Sequence, residues 1–174
     1  MDISILSKNS IRIRSKHAAL VVDPTEDLAK TNADGIILLS NSNFDIGRIL
    51  DYRIVIEGAG EYEVGGVKIS VENRGEGFVY SLLVDGIKIV LGKISVIGKI
   101  QDSANACDIA LLNADSDLKT TITSLEPKVV ILYGDKKLDG VKLLGKEGIP
   151  AVQKFTITKD KLPTEMEVIL LASS

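Results

Sequence analysis

A chain of 174 residues fits one domain and is long enough to fold alone. Its formal net charge of −3, with basic residues scattered rather than clustered, argues against a nucleic-acid surface. The single cysteine excludes an internal disulfide and the single histidine a His-rich metal site. No stretch approaches the roughly 20 apolar residues of a membrane span, so a cytoplasmic protein with no membrane association is expected. Hydrophobic residues make up 45% of the chain but aromatics only 4%, and Trp is absent. The core must then be built from Ile, Leu and Val, which suit a pleated, half-buried surface.

The first third reads as short strands at Asp2–Leu6, Ser10–Arg14 and Ala18–Val22, separated by polar turns. The third ends at Asp23-Pro24, because proline stops a ladder. Thr25–Lys30 reads as a short helix with acids in its first turn. The apolar run Gly35–Leu39 is typical of a strand buried on both faces, and a polar loop, Ser40–Asp45, follows it. Strands are predicted next at Arg53–Ile56, Glu61–Val64, Val67–Val71, Phe78–Val84 and Ile87–Leu91, with glycine-based turns between them. Asp85-Gly86 between two alternating runs is a strong two-residue hairpin signal.

The last third changes to a β-α-β rhythm. Strands are predicted at Asp108–Leu112, Val129–Leu132, Phe155–Thr158 and Glu167–Leu171, and helices at Asp117–Leu125 and Leu138–Leu144. There is no linker or low-complexity segment, so residues 1–174 read as one strand-rich α/β (α+β) domain. Ala19-Leu20-Val21-Val22-Asp23-Pro24 and Gly86-Ile87-Lys88-Ile89-Val90-Leu91-Gly92-Lys93 echo one another, each ending a strand in a polar turn after a hairpin.

Several residues invite a functional reading that a plainer one outweighs. Cys107 lies in the apolar run 106–112 and reads as a small buried hydrophobe rather than a nucleophile. His17 sits in a turn without a Ser or Asp partner pattern. Glu57, Glu61 and Glu63 suggest a hard-cation site, but two of them alternate on one strand and suit a solvated face. Gly58-Ala59-Gly60 lacks the following helix that a phosphate cradle needs.

The order of segments carries a resemblance. Ser10-Ile11-Arg12-Ile13, the strand into Asp23-Pro24, the loop Ser40–Asp45, Gly60-Glu61-Tyr62-Glu63-Val64-Gly65-Gly66-Val67 and the Val84-Asp85-Gly86 hairpin come first. Leu125–Ile131 and Leu162–Val168 follow in the same order. Together they resemble the small bacterial and archaeal branch of the metallo-β-lactamase-fold hydrolases. The resemblance implies a compact αββα sandwich, here with reduced helices.

It also implies a metal site that this chain lacks. Where the family carries His-x-His-x-Asp-His, the sequence reads Asn41-Ser42-Asn43-Phe44-Asp45-Ile46. The family's Gly-Asp after the central hairpin is Gly92-Lys93, its late histidine falls at about Gly134, and an early Gly-His pair is Ser7-Lys8. Catalytic zinc needs about three protein ligands and an open position for water. Asn is a poor ligand, Ile46 and Gly134 offer none, and Lys93 brings a positive charge where a dication should sit.

Lys8, Asn41, Asn43, Asp45, Ile46, Lys93 and Gly134 are therefore expected to line a vestigial cleft, with no catalytic residue, metal or cofactor. Lys93, or failing that Lys8, should lie within salt-bridge reach of Asp45, and Asn41 and Asn43 should turn their amides to loop backbone. The expected function is a non-catalytic pseudo-enzyme with a structural, regulatory or assembly role, through a homodimer or another protein partner. One alternative is a small-ligand binder or enzyme that reuses the cleft. Another is a metal-dependent hydrolase with an unrecognised carboxylate site.

Overall fold

The computed structural model describes residues 1–97, 106–117 and 125–172. The N-terminal half forms β1 (Asp2–Ile5), β2 (Ile11–Arg14), β3 (Ala19–Val22), β4 (Thr31–Asn32), β5 (Gly35–Ile37), β6 (Ile49–Leu50), β7 (Ile54–Ile56) and β8 (Gly60–Val64). The rest forms β9 (Val67–Asn73), β10 (Phe78–Val84), β11 (Ile87–Lys93), α1 (Ile94–Ile97), β12 (Ile109–Asn113) and β13 (Val129–Tyr133). It closes with α2 (Lys137–Leu143), β14 (Ala151–Val152), β15 (Lys154–Thr156) and β16 (Glu167–Leu171).

Two sheets face each other. The first has the order β15-β1-β2-β3-β5-β7 and the second β14-β16-β13-β12-β11-β10-β9-β8. Each half lends a strand to the other's sheet: β15 pairs with β1, and β8 pairs with β9. The aliphatic composition explains the packing. Ile3, Ile11, Ile13, Leu20, Ile37 and Ile56 from one sheet meet Ile69, Ile87, Leu91, Leu111 and Ile131 from the other, all essentially inaccessible. Each such side chain contributes about 1.5–3 kcal/mol by leaving water, so this inner layer dominates the stability.

The outer faces are covered unequally. Over the second sheet, Ile94, Val96 and Ile97 of α1, Val141 of α2 and Leu125 pack on Val79, Val90, Ala110, Leu112 and Val130. Over the first, Leu28, Ala33 and Ile49 cover Val21 and Ile36 from irregular chain and the short β4-β6 ribbon. The predicted helix at Thr25–Lys30 is thus a turn, with Leu28 N–H donating to the Thr25 carbonyl. Six residues that bury one large apolar side chain, Leu28, do not offset the cost of nucleating a helix. The helix predicted at Asp117–Leu125 lies almost wholly outside the described residues.

The Asp85-Gly86 hairpin forms as read, with φ of 50° and 81° at its two central residues and Val84 opposite Ile87. The β-α-β reading of the last third also holds: β11, β12, β13 and β16 run parallel. Parallel strands buried on both faces explain the unbroken apolar run Ile109–Leu112. Among the described residues no helix is long and apolar enough to cross a membrane.

Candidate functional site

The carboxyl ends of β3, β5, β11, β12 and β13 open into one cleft, the edge of a sheet where ligands commonly bind in α/β proteins. Its lining includes Asn9, Asp23, Thr25, Ser42, Phe44, Lys93, Asn113, Asp115 and Asp135, around a volume of about 240 Å³.

Asp23 is the buried charge of this cleft. It follows the last residue of β3 and has φ of 47°, a left-handed conformation that an aspartate tolerates better than most residues. Its Oδ1 accepts a 2.8 Å hydrogen bond from the Leu39 N–H, which ties the end of β3 to the chain leaving β5. That segment is fixed from three further directions. Leu38 N–H donates to the Ile56 carbonyl, Phe78 N–H to the Leu39 carbonyl, and the buried Tyr80 hydroxyl to the Leu38 carbonyl at 2.6 Å. Burial pushes the Asp23 carboxyl up to about 7, against the opposing effects of the Leu39 N–H and of the Lys93 ammonium.

Lys93, the last residue of β11, faces Asp23 without closing a direct ion pair. Its Nζ donates instead to Ser40 Oγ at 2.8 Å, and Ser40 Oγ lies 2.9 Å from Ser42 Oγ. An ammonium is thus held over Ser40, in the loop that follows β5.

Two more strands complete the cleft. Asn113, at the end of β12, is buried, and Tyr133, at the end of β13, is fully so. The Tyr133 hydroxyl lies within reach of the Asn113 side chain but makes no well-formed hydrogen bond. Gly134 follows with φ of 96°, and a Cβ there would lie 2.9 Å from Asn113 Oδ1 and 3.3 Å from Asn9 Oδ1. The space a side chain at 134 would need is therefore filled by two side-chain amides and the Ala114 backbone nitrogen, 3.2 Å away.

Of the residues expected to converge, the structure brings in Lys93 and packs Gly134 against the cleft's asparagines. Asn43 and Asp45 line an adjoining hollow that shares Thr25 and Phe44 with the cleft, and Lys8 stands on its rim beside Asp135. Asp45 is not within salt-bridge reach of Lys93: its Oδ2 accepts from Arg48 Nε at 3.0 Å, three residues along in a 3-10 turn. That correction has a local cause, since a guanidinium within the same turn reaches the carboxylate first. Lys8 pairs with Asp135, Nζ to Oδ1 at 2.5 Å, on an exposed rim, so it does not serve Asp45 either. Asn41 and Asn43 are exposed and make no hydrogen bond, contrary to the expectation that loop backbone would hold their amides. Ile46 is 37% exposed, outside the core.

Asp23, Asn9 and Asn113 were missed by the sequence reading, although Asp23-Pro24 had been marked as a strand end. A buried carboxylate cannot be told from a turn aspartate by local pattern.

These donors do not fit the paired-zinc chemistry that the resemblance implies. Among the described residues no three His, Cys, Asp or Glu side chains gather as a metal site. Asp115 spends both carboxylate oxygens on Ser95, accepting from its N–H at 3.0 Å and its hydroxyl at 2.5 Å. The three glutamates do not gather either: Glu61 and Glu63 are exposed on β8, and Glu61 accepts from Ser70 at 2.6 Å. Cys107 is buried, and burial raises its thiol to about 11, so it has no thiolate character near neutral pH. His17 is exposed in its turn.

No family model and no curated protein matches the sequence. Solved structures do match the fold. A Thermotoga maritima protein assigned to the zinc-dependent hydrolases of the metallo-β-lactamase superfamily superposes with a TM-score of 0.75 at 20% identity, covering 98% of each chain. The metallo-β-lactamase fold protein YhfI from Bacillus subtilis gives 0.58 at 10% identity, over 97% of this chain and 95% of that one. An isothiocyanate hydrolase from Delia radicum gut bacteria gives 0.60 at 9% identity, over 91% and 99%. Over nearly its whole length, this chain has the metallo-β-lactamase fold.

Proposed function

We propose that this protein is a non-catalytic member of its fold class, in which the cleft serves binding or assembly rather than metal-dependent hydrolysis. The observation that carries the reading is the Lys93 ammonium, hydrogen-bonded to Ser40 and facing buried Asp23 at the strand ends. A metal hydrolase needs a cation that lowers the pKa of a bound water. An ammonium carries charge but has no vacant coordination position for a water.

The test is elemental analysis of protein purified without chelators, alongside assays against phosphodiester, ester and β-lactam substrates. Substoichiometric zinc, iron and manganese with no turnover is the expected result. Stoichiometric metal that is lost on Asp23→Ala or Asp45→Ala would overturn the reading in favour of a carboxylate-based hydrolase.

An assembly role implies a partner, and a homodimer is the simplest. The Phe78–Leu91 hairpin offers Leu83 alone as a large exposed apolar side chain, whereas Ile46, Leu50 and Tyr52 are exposed within one short segment and Leu138 and Leu143, the most exposed, on α2. Light scattering after size exclusion is the check, and a species of 18.7 kDa that persists across a dilution series removes the homodimer.

A further inference from the structure

The chemistry of the cleft lining narrows what it can hold, and the narrowing rests on the non-catalytic reading above. Much of the lining is already committed. Thr25 Oγ1 lies 2.8 Å from Ser7 Oγ, Ser42 is joined to Ser40, Asp115 is bound by Ser95 and Asp135 by Lys8. Four groups remain open: the side-chain amides of Asn9 and Asn113, the second oxygen of Asp23, and the Lys93 protons not given to Ser40. Asp23 is only 2% exposed, so a ligand group that meets its second oxygen does so in a low-dielectric setting where hydrogen bonds are strengthened.

Each simple class of ligand meets an obstacle here. A small anion would meet Lys93 but also Asp23, Asp115 and Asp135. A metal cation would meet the Lys93 ammonium. An apolar molecule would strand the open donors and acceptors, at about 1–3 kcal/mol for each one left unsatisfied.

The open set mixes a pure donor (Lys93), a carboxyl that accepts when ionised and can also donate when protonated (Asp23), and two amides that do both. Hydroxyl groups satisfy all of these, because each is donor and acceptor on one atom. Phe44 adds the one aromatic wall, against which the C–H face of a ring can lie. The volume of about 240 Å³ lies below the range of roughly 300–1,000 Å³ of pockets for larger ligands, which suits one small ring.

We infer that this cleft binds a small neutral polyhydroxylated ligand, a single sugar ring or polyol, through Asn9, Asp23, Lys93 and Asn113. The test uses the full chain with glucose, xylitol and myo-inositol as probes. Phosphate, acetate and glycine serve as anionic and zwitterionic controls at matched ionic strength. Binding is read by saturation-transfer NMR and titration calorimetry.

Saturable binding of at least one neutral probe is expected, weakened about tenfold or more in Asn9→Ala and in Lys93→Met, as loss of one good hydrogen bond to a charged or amide group predicts. Asn9 is partly exposed and unpaired, so Asn9→Ala should fold even where Lys93→Met does not. The inference fails where no neutral probe binds, where an anion or glycine binds more tightly, or where binding survives Asn9→Ala. A metal-free, inactive protein that ignores polyols defeats this inference alone. Stoichiometric metal defeats the functional reading beneath it.

Discussion

In the N-terminal half β1, β2 and β3 run antiparallel, and β5 and β7 then follow in parallel. In the C-terminal half β9, β10 and β11 run antiparallel, and β12 and β13 follow in parallel. The two halves share a plan, and their third strands deliver opposite charges to one cleft. β3 leads into Asp23, buried in a left-handed turn, and β11 ends in Lys93, partly buried and leaning on Ser40. The repeated plan accounts for where the cleft lies. The two residues at the strand ends account for what it can hold, so fold and function separate at those positions.

Making the halves alike in charge should have the largest effect. Lys93→Asp removes the cation facing Asp23 and adds a like charge. We expect a loss of about 3 kcal/mol at pH 8, from a like charge set close to a carboxylate in a poorly solvated cleft, seen as a Tm lower by about 9 °C. Lowering the pH towards 5 should recover much of that loss, because a protonated carboxyl removes the repulsion. An unchanged Tm at pH 8 would mean that the two strand ends do not interact.

The next effect is on pH dependence. Asp23 has its carboxyl raised to about 7, whereas in the unfolded chain it ionises near 3.8. Between those values the folded protein holds a proton that the unfolded chain has released. The folded state's advantage is therefore complete below 3.8, declines as pH rises, and is gone above about 7. Asp23→Asn, which keeps an acceptor for the Leu39 N–H, should flatten denaturation midpoints across that window. The Asp2 carboxyl is lowered by the Lys154 and Thr156 hydrogen bonds, and that of Asp108, against the opposing effect of burial, by Lys159 and the Lys88 N–H together. Their contribution is therefore present above 3.8 and lost as pH falls below it. The two trends occupy separate pH ranges.

The comparison also shows what local pattern can carry. Asp85-Gly86 was legible because a two-residue hairpin has a dedicated chemistry, and Ile109–Leu112 because a strand buried on both faces must be apolar throughout. Cys107 was legible for the same reason. The two-residue strands β4, β6 and β14 were not, since two residues show no period. Asp45 pairs with Arg48 rather than Lys93 because Arg48 lies in the same turn, a local contact that a position in the cleft does not reveal. Asp23 and Lys93 each belong to a visible strand end, and the echo between their segments was legible. That they face each other is a fact about two sheets, which neither segment contains.

A smaller effect tests the second half alone. Gly134→Ala places a Cβ 2.9 Å from Asn113 Oδ1 at a φ of 96°, so we expect a loss of about 1–3 kcal/mol from backbone strain and crowding. Asn9→Ala combined with it should recover part of the crowding but none of the strain. Complete rescue by the pair would show that the amides, not the backbone, determine the glycine.

The smallest effect concerns Asp45, the one acid in the loop from Asn41 to Ile46. Its side chain is 42% exposed and that of its partner Arg48 36%, so solvent screens the ion pair. Exposed pairs of this kind contribute about 0.2–1 kcal/mol, and the Asp45 N–H bond to the Pro24 carbonyl survives a change of side chain. Asp45→Ala should therefore shift Tm by about 3 °C at most. It should leave the pH profile set by Asp23 unaltered and weaken in effect as salt is added. If this substitution instead costs as much as Lys93→Asp, then Asp45 belongs with Asp23 and Lys93 after all. The loop after β5 would then have to sit deeper in the cleft than its exposed asparagines place it.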